Sequence, residues 1–152
     1  MPEAYVPRNY TAQVMHGIAE AVAAAGLAVY RPTGVYLPGE RGIYFDHSPP
    51  LPDTTPEETF VITPYLPQSG DVWVEHTRVQ LRARHVNRHP LWVRDFLDDV
   101  RALFPERTPL MFGGHLFDRA TQASSTTWGE EDRPTVLETT QNIRLRGNRY
   151  AP

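Results

Sequence analysis

Between Tyr10 and Ala25 apolar residues return at helical spacing: Val14, Ile18, Ala21, Val22 and Ala25 fall on one face. Asn9 stands where an N-cap is wanted and Gly26 where a C′ residue is wanted, so the pattern predicts a helix over 9–25. A short strand, Leu27–Arg31, follows and is stopped by Pro32. Pro-Thr-Gly and Pro-Gly turn signals then flank Val35-Tyr36-Leu37, ahead of a second strand at Gly42–Asp46. Pro49, Pro50, Pro52 and Pro56 make Asp46–Glu58 a loop. Thr59–Tyr65 is a β-rich run, and another loop occupies 66–75.

His76–Val86 alternates most clearly. Val79, Leu81 and Ala83 lie on one face, while Arg78, Gln80, Arg82 and Arg84 lie on the other. A second helix is predicted from Pro90, a favoured first-turn residue, to a point before Pro105. Its apolar stripe is Trp92, Phe96, Val100 and Leu103. Two more strands, Leu116–Thr127 and Thr135–Leu145, complete the pattern, and in the last Leu137, Thr139, Gln141, Ile143 and Leu145 share a face. Gly147–Pro152 reads as a polar tail. The order is α-β-β-β-β-α-β-β, which predicts a single domain over 1–152. Its class is α+β, with a mostly antiparallel or mixed β-sheet and two helices packed on one face.

Composition narrows the chemistry. The chain has 152 residues, no cysteine and a net charge of −3 from 15 basic and 18 acidic residues. All the basic residues are arginine, so a Schiff-base lysine, a P-loop lysine, a thiolate metal site and a cysteine nucleophile are excluded. Fifteen prolines, against an average of about 5%, demand irregular connections. The mild acidity speaks against a dedicated nucleic-acid binder. No apolar run approaches the ~20 residues of a membrane span, and Met1–Asn9 has no apolar segment of a signal peptide.

Individual candidates for catalysis are weak. His85 and His89 are four apart but straddle a strand end, and His85 is in the apolar phase, which favours a buried histidine over a metal ligand. Asp46, His47 and Asp53 lie in a proline-rich loop with nothing to orient them. Asp98 and Asp99 diverge by about 100° on a helix and do not make a carboxylate pair. Gly113-Gly114 and Gly39–Gly42 match no phosphate loop, and no Gly-x-Ser-x-Gly surrounds Ser124-Ser125. No catalytic residue, cofactor or metal is expected. The residues marked for subunit or partner contact are the row Arg78, Arg82, Arg84, the loop prolines Pro49, Pro50 and Pro52, the loop aromatics Trp73 and Trp128, and Arg144, Arg146 and Arg149 near the end.

One succession of motifs carries a resemblance. Asn9-Tyr10-Thr11 leads into the Ala-rich helix ending Ala24-Ala25-Gly26-Leu27, followed by Val29-Tyr30-Arg31-Pro32 and Gly34-Val35-Tyr36. Thr63-Pro64-Tyr65, the strand Thr77–Arg84 and a helix holding Asp95-Phe96-Leu97-Asp98 come next. Over about residues 9–146 this resembles the tail terminator or minor capsid proteins of long-tailed phages (siphoviruses) of high-GC actinobacteria. The resemblance implies a small sheet flanked by helices and a structural virion protein rather than an enzyme. It implies a six-fold homo-oligomeric ring that caps the tail tube, meets the tail tube protein on one side and the head connector or neck on the other, and lets DNA pass through its lumen. It places the protein in the virion after assembly in the host cytoplasm. The long Asp46–Glu58 insertion and the Trp128–Arg133 segment depart from that pattern. A head completion or stopper protein of the same neck is the alternative. A small metal-dependent or hydrolytic enzyme using His47, His85 or His89 is the reading from a different class.

Overall fold

The first helix forms where the apolar stripe foretold it. In the computed structural model, which describes residues 5–32, 35–47, 58–65, 68–69, 74–130 and 133–148, α1 spans Tyr10–Ala24 and buries Val14, Met15, Ile18, Ala19 and Val22. Asn9 occupies the N-cap position, but its side chain makes no capping bond. The C-terminus closes as a Schellman motif: Leu27 N donates to Val22 O at 3.2 Å and Gly26 N to Ala23 O at 3.0 Å. Gly26 supplies the left-handed φ of 73° that this closure needs.

Among the described residues seven strands make one sheet: β1 Gly42–Phe45, β2 Thr59–Pro64, β3 Gln68–Ser69, β4 Val74–Val86, β5 Leu110–Phe112, β6 His115–Glu130 and β7 Arg133–Asn148. They run in the order β1-β2-β4-β7-β6-β5, with β3 paired to β4 beside that path. Every pairing is antiparallel except β1 with β2, so the sheet is mixed. Helix α2, Pro90–Arg101, lies between β4 and β5 in sequence. Both helices pack on one face. Val14, Ile18 and Val22 of α1 join Phe96, Leu97 and Val100 of α2 over Phe60, Ile62, Val79, Leu81, Ile143 and Leu145 in one core. Each large side chain so buried is worth about 1.5–3 kcal/mol.

Five expectations shift. The span 66–75, read as a loop, holds the two-residue strand β3 and the first residues of β4, because Gln68 pairs with His76 and Val74 with Asn148. The run Leu27–Arg31 is reduced to one parallel bridge, Val29 to Gly42, because Leu27 is spent on closing α1 and Pro32 has no amide hydrogen to donate. A short strand, β5, appears where none was expected. Gly113 and Gly114, both at positive φ (59° and 82°), form the two-residue turn that joins it to β6. The stripe of α2 is Val93, Phe96, Leu97 and Val100, while Trp92 sits at the rim, 37% exposed. Finally, β7 runs on to Asn148, so Gly147 and Asn148, read as part of the polar tail, belong to the strand.

Gly17 explains how α1 reaches the β5–β6 turn. A Cβ there would lie 2.1 Å from Gly113 N, and a Cβ on Gly113 would lie 1.9 Å from Gln13 O. Helix and turn touch backbone to backbone. At the opposite end of the sheet Tyr36 lies over Gly42 on the other face, and its hydroxyl donates to Ile43 O at 2.5 Å. β6 carries register shifts at Phe117/Arg119, Gln122/Ser124 and Gly129/Glu130, so its path along β7 is bulged.

Candidate functional site

Strand phase puts the arginines on the face away from the helices. Arg78 is directly opposite Arg144 across β4 and β7, Arg82 opposite Thr140, and Arg119 of β6 opposite Arg146. Three strands therefore carry Arg78, Arg144, Arg146 and Arg119 to one area, with Asp118 as the nearby acid. Arg146 holds Asp118 in a two-pronged contact, Nε to Oδ1 at 2.9 Å and Nη2 to Oδ2 at 2.5 Å. That bond holds the Asp118 carboxyl below the usual carboxylate range and pushes the Arg146 guanidinium up. Arg78, Arg119 and Arg144 are exposed and make no ion pair among the described residues. Like charges facing each other on paired strands are unfavourable, so Arg78 and Arg144 are not there for the stability of the isolated sheet.

A polar ladder crosses the same strands. Gln80 Nε2 donates to Asn142 Oδ1 at 3.3 Å, and Asn142 Nδ2 donates to Ser124 Oγ at 2.8 Å. With Tyr65, Arg78 and Arg144, Asn142 and Ser124 line an open recess of about 610 Å³. The face divides in two. Toward β1, Arg84 is buried alongside Thr59 and Val61, so of the arginine row Arg78 alone is exposed and Arg82 half-buried.

A second cluster joins the end of β4 to α2. Arg41 Nη2 meets Glu58 Oε2 at 2.9 Å, Arg88 Nε meets Glu58 Oε1 at 2.8 Å, and both guanidinium groups stack on the Trp92 ring, at 4.9 and 4.6 Å. Arg41 also lies 3.7 Å over Phe96. Burial pushes the Arg41 guanidinium below its ordinary value. Beneath it His85 is fully buried, edge-on to Trp92 and Phe96, and neither ring nitrogen has a hydrogen-bond partner among the described residues. Burial first, then the Arg41 charge, lowers its pKa from 6.5 to about 4. His89 does something unrelated: its Nδ1 accepts from Leu91 N at 3.2 Å and caps α2. The two histidines do not converge, and no group of three or more metal-ligating side chains occurs among the described residues.

A groove beside α1 escaped the sequence reasoning. Tyr5, Met15, His16, Tyr30 and Phe45 line about 610 Å³ of it. His16 Nδ1 and the Tyr30 hydroxyl are 2.8 Å apart, and burial pushes the Tyr30 phenol up to about 12. His16 lies off the apolar stripe of its helix, the one signal that marked this side.

Among the residues marked in advance, Arg78, Arg82, Arg84, Arg144 and Arg146 come together on one face although they arise some 60 positions apart. Trp128, read as a loop aromatic, is instead a strand residue, because β6 continues past Thr127 to Glu130 and the Trp128 backbone pairs there with Glu138 of β7. Pro49, Pro50, Pro52, Trp73 and Arg149 lie outside the described residues, as does Asp53. No helix among the described residues is long and apolar enough to cross a membrane.

No protein-family model matches the chain, and no curated protein matches it. Its fold does have a solved counterpart: it is similar to a chain in the structure described as the virion of the native gene transfer agent (GTA) particle, at 10% identity and a TM-score of 0.58, over 91% of this chain and 96% of that one.

Proposed function

We propose that the protein is a structural component of a phage-like particle: a tail terminator that caps the tail tube as a six-fold ring and offers the surface that joins tail to head. The observation that carries this reading is the fold likeness to a chain of a virion particle, which extends over nearly the whole of both chains. The succession of motifs over residues 9–146 points the same way. The arrangement of side chains agrees with a non-enzymatic role: His85 is buried under aromatic rings, His89 is a helix cap, and Ser124 accepts an amide hydrogen within a sheet ladder. A ring needs two different contact patches on each subunit, and the exposed arginines of the outer sheet face supply one. In this reading the tail tube protein lies on one side of the ring and the head connector on the other, with DNA passing through the lumen.

Electron microscopy of particles made without the gene tests it. Over-long tails detached from filled heads are the expected result. Tails of normal length with leaking heads would replace the terminator reading by a neck stopper, and intact particles would end both.

A further inference from the structure

Among the described residues the outer sheet face carries arginines without ion-pair partners, and the exposed side of α2 carries carboxylates without them, with Arg94 and Arg101 along one flank of that helix. On α2, the buried stripe Val93, Phe96, Leu97 and Val100 leaves Asp95, Asp98 and Asp99 exposed on the far side of the helix. These carboxylates make no ion pair among the described residues. Because α2 packs on the inner face of the sheet, its acidic side and the outer arginine face point away from each other. One subunit cannot bring them together.

We propose that Arg78, Arg144 and Arg119 of one copy dock against Asp95, Asp98 and Asp99 on α2 of the next copy. This rests on the ring reading above and names its contact. The occupant is a second copy because this chain itself carries the complementary patch, and because joining two unlike patches gives a head-to-tail contact, the kind that closes into a ring. Each patch has an apolar neighbour to anchor it: Tyr65, 43% exposed, lines the recess beside Arg78 and Arg144, and Leu91, 61% exposed, lies on the acidic side of α2. The planar guanidinium groups suit two-pronged binding of carboxylates, as Arg146 already does with Asp118. The facing pair Arg78 and Arg144, unfavourable in the free subunit, is relieved when carboxylates come between them.

Sedimentation velocity on the full chain, with three variants, tests the contact. Arg78→Glu/Arg144→Glu and Asp95→Arg/Asp98→Arg change exposed positions and should each keep the native melting temperature. Each is expected to weaken self-association by roughly a hundredfold, leaving the 17.3 kDa monomer. The chain carrying all four reversals is expected to assemble again, which an unfolding artefact would not do. Wild-type assembly should also weaken as salt rises. Assembly that is indifferent to both double reversals overturns the contact and leaves the ring reading standing. Failure of the fourfold variant to assemble overturns it, as does a wild-type chain that stays monomeric at high concentration and low salt. If duplex DNA binds the wild type and loses binding only in Arg78→Glu/Arg144→Glu, with self-association unchanged, the face belongs to nucleic acid instead. The tail-length phenotype is read in particles and tests the ring independently of this contact.

Discussion

Replacing His85 by phenylalanine should flatten the acid side of the stability profile. In the native protein His85 is fully buried, its ring nitrogens have no hydrogen-bond partner among the described residues, and the Arg41 guanidinium lies close by. Its pKa falls from 6.5 to about 4 on folding. The native state therefore binds fewer protons than the unfolded chain, and stability is fully present above pH 6.5 and is lost as the pH falls toward 4. At about 1.36 kcal/mol per pH unit the whole effect amounts to about 3 kcal/mol, of which about 2.5 is reached at pH 4.5. The groups facing the imidazole are Arg41, Glu58 and Arg88, with the rings of Trp92 and Phe96, and Glu58 offsets only part of the effect of the two arginines. Urea midpoints at pH 7.5 and 4.5 provide the measurement. The wild type should lose about 2.5 kcal/mol more than His85→Phe over that interval. Every other residue is the same in both proteins, so its contribution cancels in the difference. His85→Leu should flatten the profile in the same way, which separates the lost titration from any effect of ring size. Parallel profiles for wild type and both variants would refute the reasoning.

Gly17→Ala should destabilise by about 1–3 kcal/mol in chemical denaturation, since the new methyl meets the backbone of Phe112 and Gly113 with nothing flexible to yield. Gly113→Ala should cost at least as much, because it adds a left-handed φ of 59° to a clash with Gln13 O. Tyr36→Phe removes the hydroxyl bond to Ile43 O and should cost about 1 kcal/mol in a urea titration, with the ring contact to Tyr44 kept. Asp118→Asn breaks an exposed pair with Arg146 and should leave the melting temperature close to wild type, because solvent screens such pairs.

The elements whose residues alternate or recur over many positions were legible in the sequence. β4 is the best case: Val79, Leu81 and Ala83 on one side and Arg78 and Arg82 on the other are set by the two-residue period alone. His85 was placed in the apolar phase for the same reason and is buried there. What escaped depends on contacts between distant segments. β5 is three residues long and exists because the Gly113-Gly114 turn folds it back on β6. That turn carries a two-glycine hairpin signal, but the strand it closes is too short to show a period of its own. The parallel pairing of β1 with β2 has no local mark at all, because the chain between them sets the direction. Trp92 reads as core by spacing, but it is held at the rim by stacking under Arg41 and Arg88, one of which precedes it by some 50 positions. Likewise the face shared by Arg78 and Arg144 follows from the β4–β7 register, which strand phase alone does not fix.

The bulges of β6 bear on how the protein behaves at high concentration. Beyond Phe117 this strand has β7 on one side and no second strand among the described residues on the other. A long flat margin of that kind recruits other chains through its free amide and carbonyl groups and seeds aggregates. Here three register shifts break the regular spacing of those groups, and Thr121, Ser124, Ser125 and Thr126 keep the stretch polar. A colliding copy finds no extended run of main-chain partners in register. Indiscriminate growth of the sheet along this margin is thereby opposed.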